Sequence, residues 1–119
     1  MMNDSFDAKV RQDGSVVTMD LSGEINRGAD ERMSSAYDEI AKTGVATILL
    51  NFTKVGYINS TGIAVIVAML GRARSDGRQV SAYGLTDHYK HLFDITRLSD
   101  FMHIYDDEST ALAGAGAGA

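Results

Sequence analysis

Ser60 and Thr61 are the residues of this 119-residue chain best placed to do chemistry. They stand in Tyr57-Ile58-Asn59-Ser60-Thr61-Gly62-Ile63, a polar turn between a predicted buried strand, Ala46 to Phe52, and a helix running to about Ser75. A hydroxyl in that turn meets free backbone N–H groups and the positive end of the helix dipole, a setting that favours negative charge. The chemistry this suits is the holding of an anion at the helix start, on or beside a hydroxyl. The same residue types also cap helices, because Asn and Ser side chains accept hydrogen bonds from the first amides. Asn59 and Ser60 thus carry a capping reading and a regulatory one, and other segments must separate them.

No enzyme assembles around Ser60. The chain has no Gly-x-x-x-x-Gly-Lys loop, no Gly-x-Ser-x-Gly elbow and no His-Glu-x-x-His. No base for Ser60 is evident. A nucleotide-binding reading can use the same helix start, but it lacks a glycine-rich cradle with its lysine. His88 and His91 stand three apart on a predicted helix without a third or fourth ligand nearby, so no metal site is expected. No cofactor is expected either. The net charge of −5 makes nucleic acid and anionic membranes poor partners. The absence of cysteine excludes disulfides and thiolate chemistry. Met1 to Val10 carries Asp4 and Asp7 and no apolar core, unlike a signal peptide, and the apolar run Ile63 to Leu70 is too short to span a bilayer. The expectation is a soluble, cytoplasmic protein, monomeric when free.

The elements that must position Ser60 follow from pattern. Phe6 to Arg11 and Ser15 to Leu21 flank Asp13-Gly14, the signal of a tight antiparallel hairpin. Gly23 to Gly28 breaks the pattern. Met33, Tyr37, Ile40 and Ala41 recur at helical spacing within Ala29 to Lys42. Beyond the Ser60 helix come a strand at Gln79 to Gly84, a helix at Thr86 to Thr96 capped by Thr86 or Asp87, and a strand at Phe101 to Tyr105. Leu92, Phe93 and Ile95 are read as packing residues, and Asp106-Asp107-Glu108 as a solvated turn opening a weak helix that ends by Ala113. Strand–helix alternation after the hairpin predicts parallel strands joined by right-handed crossovers, hence one mixed α/β domain over residues 1–113. The Ala/Gly tail, residues 114–119, has nothing to pack and is expected to be disordered.

Three segments, in order, resemble those of STAS domain proteins, in particular stand-alone bacterial anti-sigma factor antagonists. Leu21-Ser22-Gly23-Glu24-Ile25-Asn26 resembles the family's Gly-Glu-Leu/Ile-Asp loop. Tyr57-Ile58-Asn59-Ser60-Thr61-Gly62-Ile63 resembles its Asp-Ser-Ser/Thr-Gly-Leu switch motif, and Leu92-Phe93-Asp94-Ile95-Thr96 its Leu-Phe-Asp-Ile-Thr helix end. The resemblance implies a single STAS-like fold and a protein–protein switch. The unmodified protein would bind an anti-sigma factor serine kinase and so release a sigma factor. Phosphorylation at the position of Ser60, with Thr61 as the alternative acceptor, would end the complex, and a serine phosphatase would restore it. Partner contacts would come from Glu24, Asn26, Tyr57, Asn59, Ser60, Thr61 and Gly62. Two positions depart from the family pattern: Asn59 and Asn26 each stand where the motif has Asp. If the kinase reads those carboxylates, phosphorylation is slowed or lost, and the chain would serve as a constitutive binder or as a scaffold component of a larger signalling assembly.

Overall fold

A computed structural model describes residues 5–117. Strand β1 (Asp7–Asp13) turns back into β2 (Val16–Ile25), which pairs antiparallel with it. Asp13 lies opposite Val16, so the loop is the two residues Gly14-Ser15, with Gly14 at φ 63°. Glycine at the first loop position suits the tight turn that matches strand twist. A 3₁₀ turn (Arg27–Ala29) and helix α1 (Asp30–Ala41) lead to β3 (Thr47–Ile58), helix α2 (Ser60–Ser75) and β4 (Gln79–Tyr83). Helix α3 (Asp87–Ile95), a second 3₁₀ turn (Leu98–Asp100), β5 (His103–Tyr105) and helix α4 (Glu108–Ala117) complete the described chain. The five strands lie side by side in chain order, β1 antiparallel to β2 and every later neighbour parallel.

Period-two alternation sorts the strand side chains between two faces. Val17, Met19 and Leu21 of β2, Ile48, Leu50 and Phe52 of β3, and Val80 and Ala82 of β4 enter the main core. Met33, Tyr37 and Ile40 of α1, Val65, Ile66 and Met69 of α2, and Phe93 of α3 pack into the same core. Phe93 meets Phe52 edge to face, ring centres 5.8 Å apart. Leu49 and Tyr83 point the other way and form a smaller cluster with Ala111 of α4. On that second face Arg11 binds Asp20 at 2.5 Å and Glu108 at 3.2 Å, while Asn51 donates to Asp20 at 2.8 Å.

The expected boundaries need several corrections. Strands β2 and β3 run on beyond Leu21 and Phe52, because Ser22–Ile25 pairs with Lys54–Ile58 after two register shifts. Each shift leaves one extra residue in β3, and Gly23 absorbs a φ of 85°. Strand β5 starts two residues late, since the turn at Leu98–Asp100 comes first. Ile95 is 63 % exposed, so it is not a packing residue, whereas Phe93 is fully buried. The acidic run is tied down: Asp106 binds Lys90 at 2.6 Å, Asp107 accepts from the Thr110 amide at 2.9 Å, and Glu108 reaches Arg11. The tail expected to be disordered is helical as far as Ala117, with Ala115 packed against the second cluster. The helix sets Leu112 and Ala115 against that cluster; residues 118–119 of that tail, and residues 1–4 of the amino-terminal segment, lie outside the described residues. No helix among the described residues is long and apolar enough to cross a membrane.

Candidate functional site

Parallel pairing carries the C-terminal ends of β2 and β3 to one edge of the sheet, with Glu24 opposite Tyr57 and Ile25 opposite Ile58. The chain then leaves both strands for helical turns at that edge. Asn26 caps the first, its Oδ1 accepting from the Gly28 amide at 2.8 Å. Asn59 caps α2, its Oδ1 accepting from the Gly62 amide at 2.8 Å and from the Thr61 hydroxyl at 2.7 Å. Two loops that are 33 residues apart in sequence are thereby set side by side.

Backbone contact locks them together. The Asn59 amide donates to the Ile25 carbonyl at 3.2 Å. A Cβ placed on Gly62 would lie 1.9 Å from the Ile25 oxygen and 2.5 Å from its carbon. No side chain fits there, so Gly62 is what allows the start of α2 to rest on the end of β2. Tyr89 of α3 braces the approach from the far side, its hydroxyl accepting from the Ile58 amide at 3.0 Å.

Ser60 is the first residue of α2 and is exposed. Among the described residues its hydroxyl has no hydrogen-bond partner, whereas the Thr61 hydroxyl is engaged by Asn59 and only half-exposed. The amides of the first helical turn lack intrahelical acceptors, and only that of Gly62 is taken by the cap. An anion on the Ser60 oxygen would therefore sit at the positive end of a 16-residue helix. Tyr57, 51 % exposed, supplies an aromatic surface beside it, and Glu24 and Asn26 are half-buried across the strand pair. All seven residues singled out in the sequence are thus gathered at one edge, with Gly62 buried beneath the others.

Two contributors escaped the sequence reading. The Ile25 carbonyl has no side-chain signature at all, and Tyr89 is 31 positions from the amide it accepts. His88 and His91 are exposed on α3, and no cluster of three or more metal-ligating side chains exists among the described residues.

Comparison with known proteins places this arrangement among relatives. The family model described as "Mlab, STAS domain" matches residues 8–104. The anti-sigma-B factor antagonist of Listeria monocytogenes is 29 % identical over 107 residues, covering 90 % of this chain and 93 % of that protein. The crystal structure of an anti-sigma factor antagonist from Mycobacterium paratuberculosis superposes with a TM-score of 0.81 at 16 % identity, covering 96 % of this chain and 97 % of the other. The Bacillus cell fate determinant SpoIIAA in its phosphorylated form gives a TM-score of 0.67 at 16 % identity, over 92 % and 97 % of the two chains. At such identities the two structures establish the shared fold alone.

Proposed function

The chain belongs to the STAS domain family, and we propose that it works there as a phosphorylation-switched anti-sigma factor antagonist. In this reading the unmodified protein, a monomer when free, binds an anti-sigma factor that is also a serine kinase, and a sigma factor is released. The kinase modifies Ser60 and the complex dissociates; a serine phosphatase resets the switch. It is a binding module and not an enzyme. The names of its relatives, anti-sigma-B factor antagonists, support the regulatory class.

The observation that carries the reading is the contrast between two neighbouring hydroxyls. Ser60 presents an exposed oxygen without an internal partner, while Thr61 donates its proton to Asn59. Phosphate on Ser60 adds roughly −1.5 to −2 charge at pH 7. Within the domain that charge faces the helix N-terminus and is tolerated. Within a desolvated interface it is a charge without a partner, and the complex cannot keep it.

The departures at Asn59 and Asn26 weigh less in this geometry than in the bare sequence. Both side chains turn their Oδ1 inward to cap a helix or turn. A carboxylate at either place would spend an oxygen on the same bond, so the missing charge acts first on the helix start.

The test is intact-mass spectrometry of the protein incubated with ATP and the anti-sigma-type serine kinases of its host. One added phosphate mapped to Ser60, and absent from Ser60→Ala, is the expected result. Labelling of Thr61 alone would show that Thr61, and not Ser60, is the acceptor. No labelling by any such kinase would shift the reading to a non-phosphorylated scaffold subunit.

A further inference from the structure

A groove of about 610 Å³ lies between α2 and the α3–β5 connection. It is remote from Ser60. The groove meets β4 and β5 at Gln79 and His103, the first residues of those strands, whereas Ser60 lies two residues beyond Ile58, the last residue of β3. Arg74, on its wall, is fourteen residues along α2 from Ser60, about 21 Å at 1.5 Å per residue.

One face of α2 forms the wall. Val67, Leu70, Gly71 and Arg74 follow the i, i+3, i+4, i+7 spacing that aligns side chains on a helix. Phe101 and Met102 face them. Val67 and Phe101 are 48 % and 54 % exposed, two large apolar side chains left facing water. Gly71 is a glycine in the interior of a helix, which costs about 0.8–1 kcal/mol relative to alanine. Neither a close approach nor a positive φ requires it: an added Cβ would meet nothing within 4 Å. The effect of the missing side chain is to leave the groove open.

The charges select the occupant. Arg78 is consumed by Asp76 at 3.1 Å and by the carbonyls of Val45 and Thr43. Asp100 is paired with Arg97 at 2.7 Å. Arg74 stacks over the Phe101 ring, 5.5 Å from its centre, and has no carboxylate partner among the described residues. His103 stands at the rim. One planar guanidinium without a counter-ion, above an apolar cleft of the usual ligand-pocket size, matches one planar anion on an apolar body.

We propose that this groove is a binding site for a small free monocarboxylate with an aliphatic tail, its carboxylate on Arg74 and its tail along Val67, Leu70, Phe101 and Met102. A single carboxylate answers a single guanidinium with two parallel hydrogen bonds, where a phosphate dianion would call for further cations.

The probe is sodium octanoate, titrated into the full chain while backbone amide shifts are followed by NMR. Saturable shifts confined to residues 67–74 and 98–103 are expected. Octan-1-ol, which keeps the tail and loses the charge, should bind at least tenfold more weakly, and Arg74→Gln should weaken octanoate by about tenfold or more. Gly71→Leu places a side chain in the open groove and should abolish binding while holding the melting temperature at or above that of the wild type. The absence of saturable shifts would overturn the site. So would equal binding of octanol, or octanoate binding indifferent to Arg74→Gln and Gly71→Leu. A dimer in sedimentation that Gly71→Leu dissociates would make the occupant a second copy of the chain and overturn the proposal as well.

Discussion

Asn59 gives one side-chain oxygen to two donors, the Gly62 amide and the Thr61 hydroxyl. That bond pair both starts α2 and sets apart the neighbouring hydroxyls, leaving Ser60 outward. Asn59→Ala removes both acceptor contacts. It should cost about 0.5–2 kcal/mol in denaturant unfolding, the range for loss of a good helix cap. The same experiment on Asn59→Asp should show stability retained or slightly raised at neutral pH, because Asp caps equally well and its charge faces the helix dipole. A silent Asn59→Ala would mean that the cap is replaced by water and that Thr61 is not held.

At the scale of elements, the order of strands and helices was legible in the sequence, and so were the hairpin at Gly14 and the turn before α2. Those signals are local: alternation, helical spacing, a glycine, a cap. The length of β3 was not legible, because Thr53–Ile58 pairs only through two bulges opposite a segment that reads as small and polar. Likewise α4 reads as a weak tail, yet its start is held by Arg11, 97 positions from Glu108. Arg11 also binds Asp20 on the same face. The Arg11 guanidinium holds the Asp20 carboxyl below its ordinary range, with the Asn51 amide adding to the effect and burial opposing it. A carboxyl with a lowered folded pKa contributes stability above its unfolded value, near 3.9, and loses it as pH falls through the folded value. Arg11→Gln should therefore be less stable than wild type at pH 7, by under about 1 kcal/mol for so exposed a pair. The gap should close as pH falls below the usual carboxylate range. Urea unfolding of both proteins at several pH values checks it; a gap that persists in acid would show that Arg11 acts by packing and not by charge.

For the whole molecule, the sheet places two surfaces at opposite ends of α2. One end, with Ser60, Tyr57 and the Glu24–Asn26 turn, was recognisable because its residues are contiguous motifs. The other, with Arg74 and Phe101, joins segments that only folding brings together, and no local pattern announces it. The central claim concerns the first surface: charge on Ser60 ends partner binding without unfolding the domain. Ser60→Asp should fold as the wild type does, since Asp near a helix start is favourable. The decisive measurement is the dissociation constant of wild type and Ser60→Asp with the partner serine kinase, made on folded protein verified by circular dichroism. A desolvated unpaired charge costing a few kcal/mol predicts weakening on the order of a hundredfold for Ser60→Asp. An unchanged constant for the folded variant would put Ser60 outside the interface and contradict the switch.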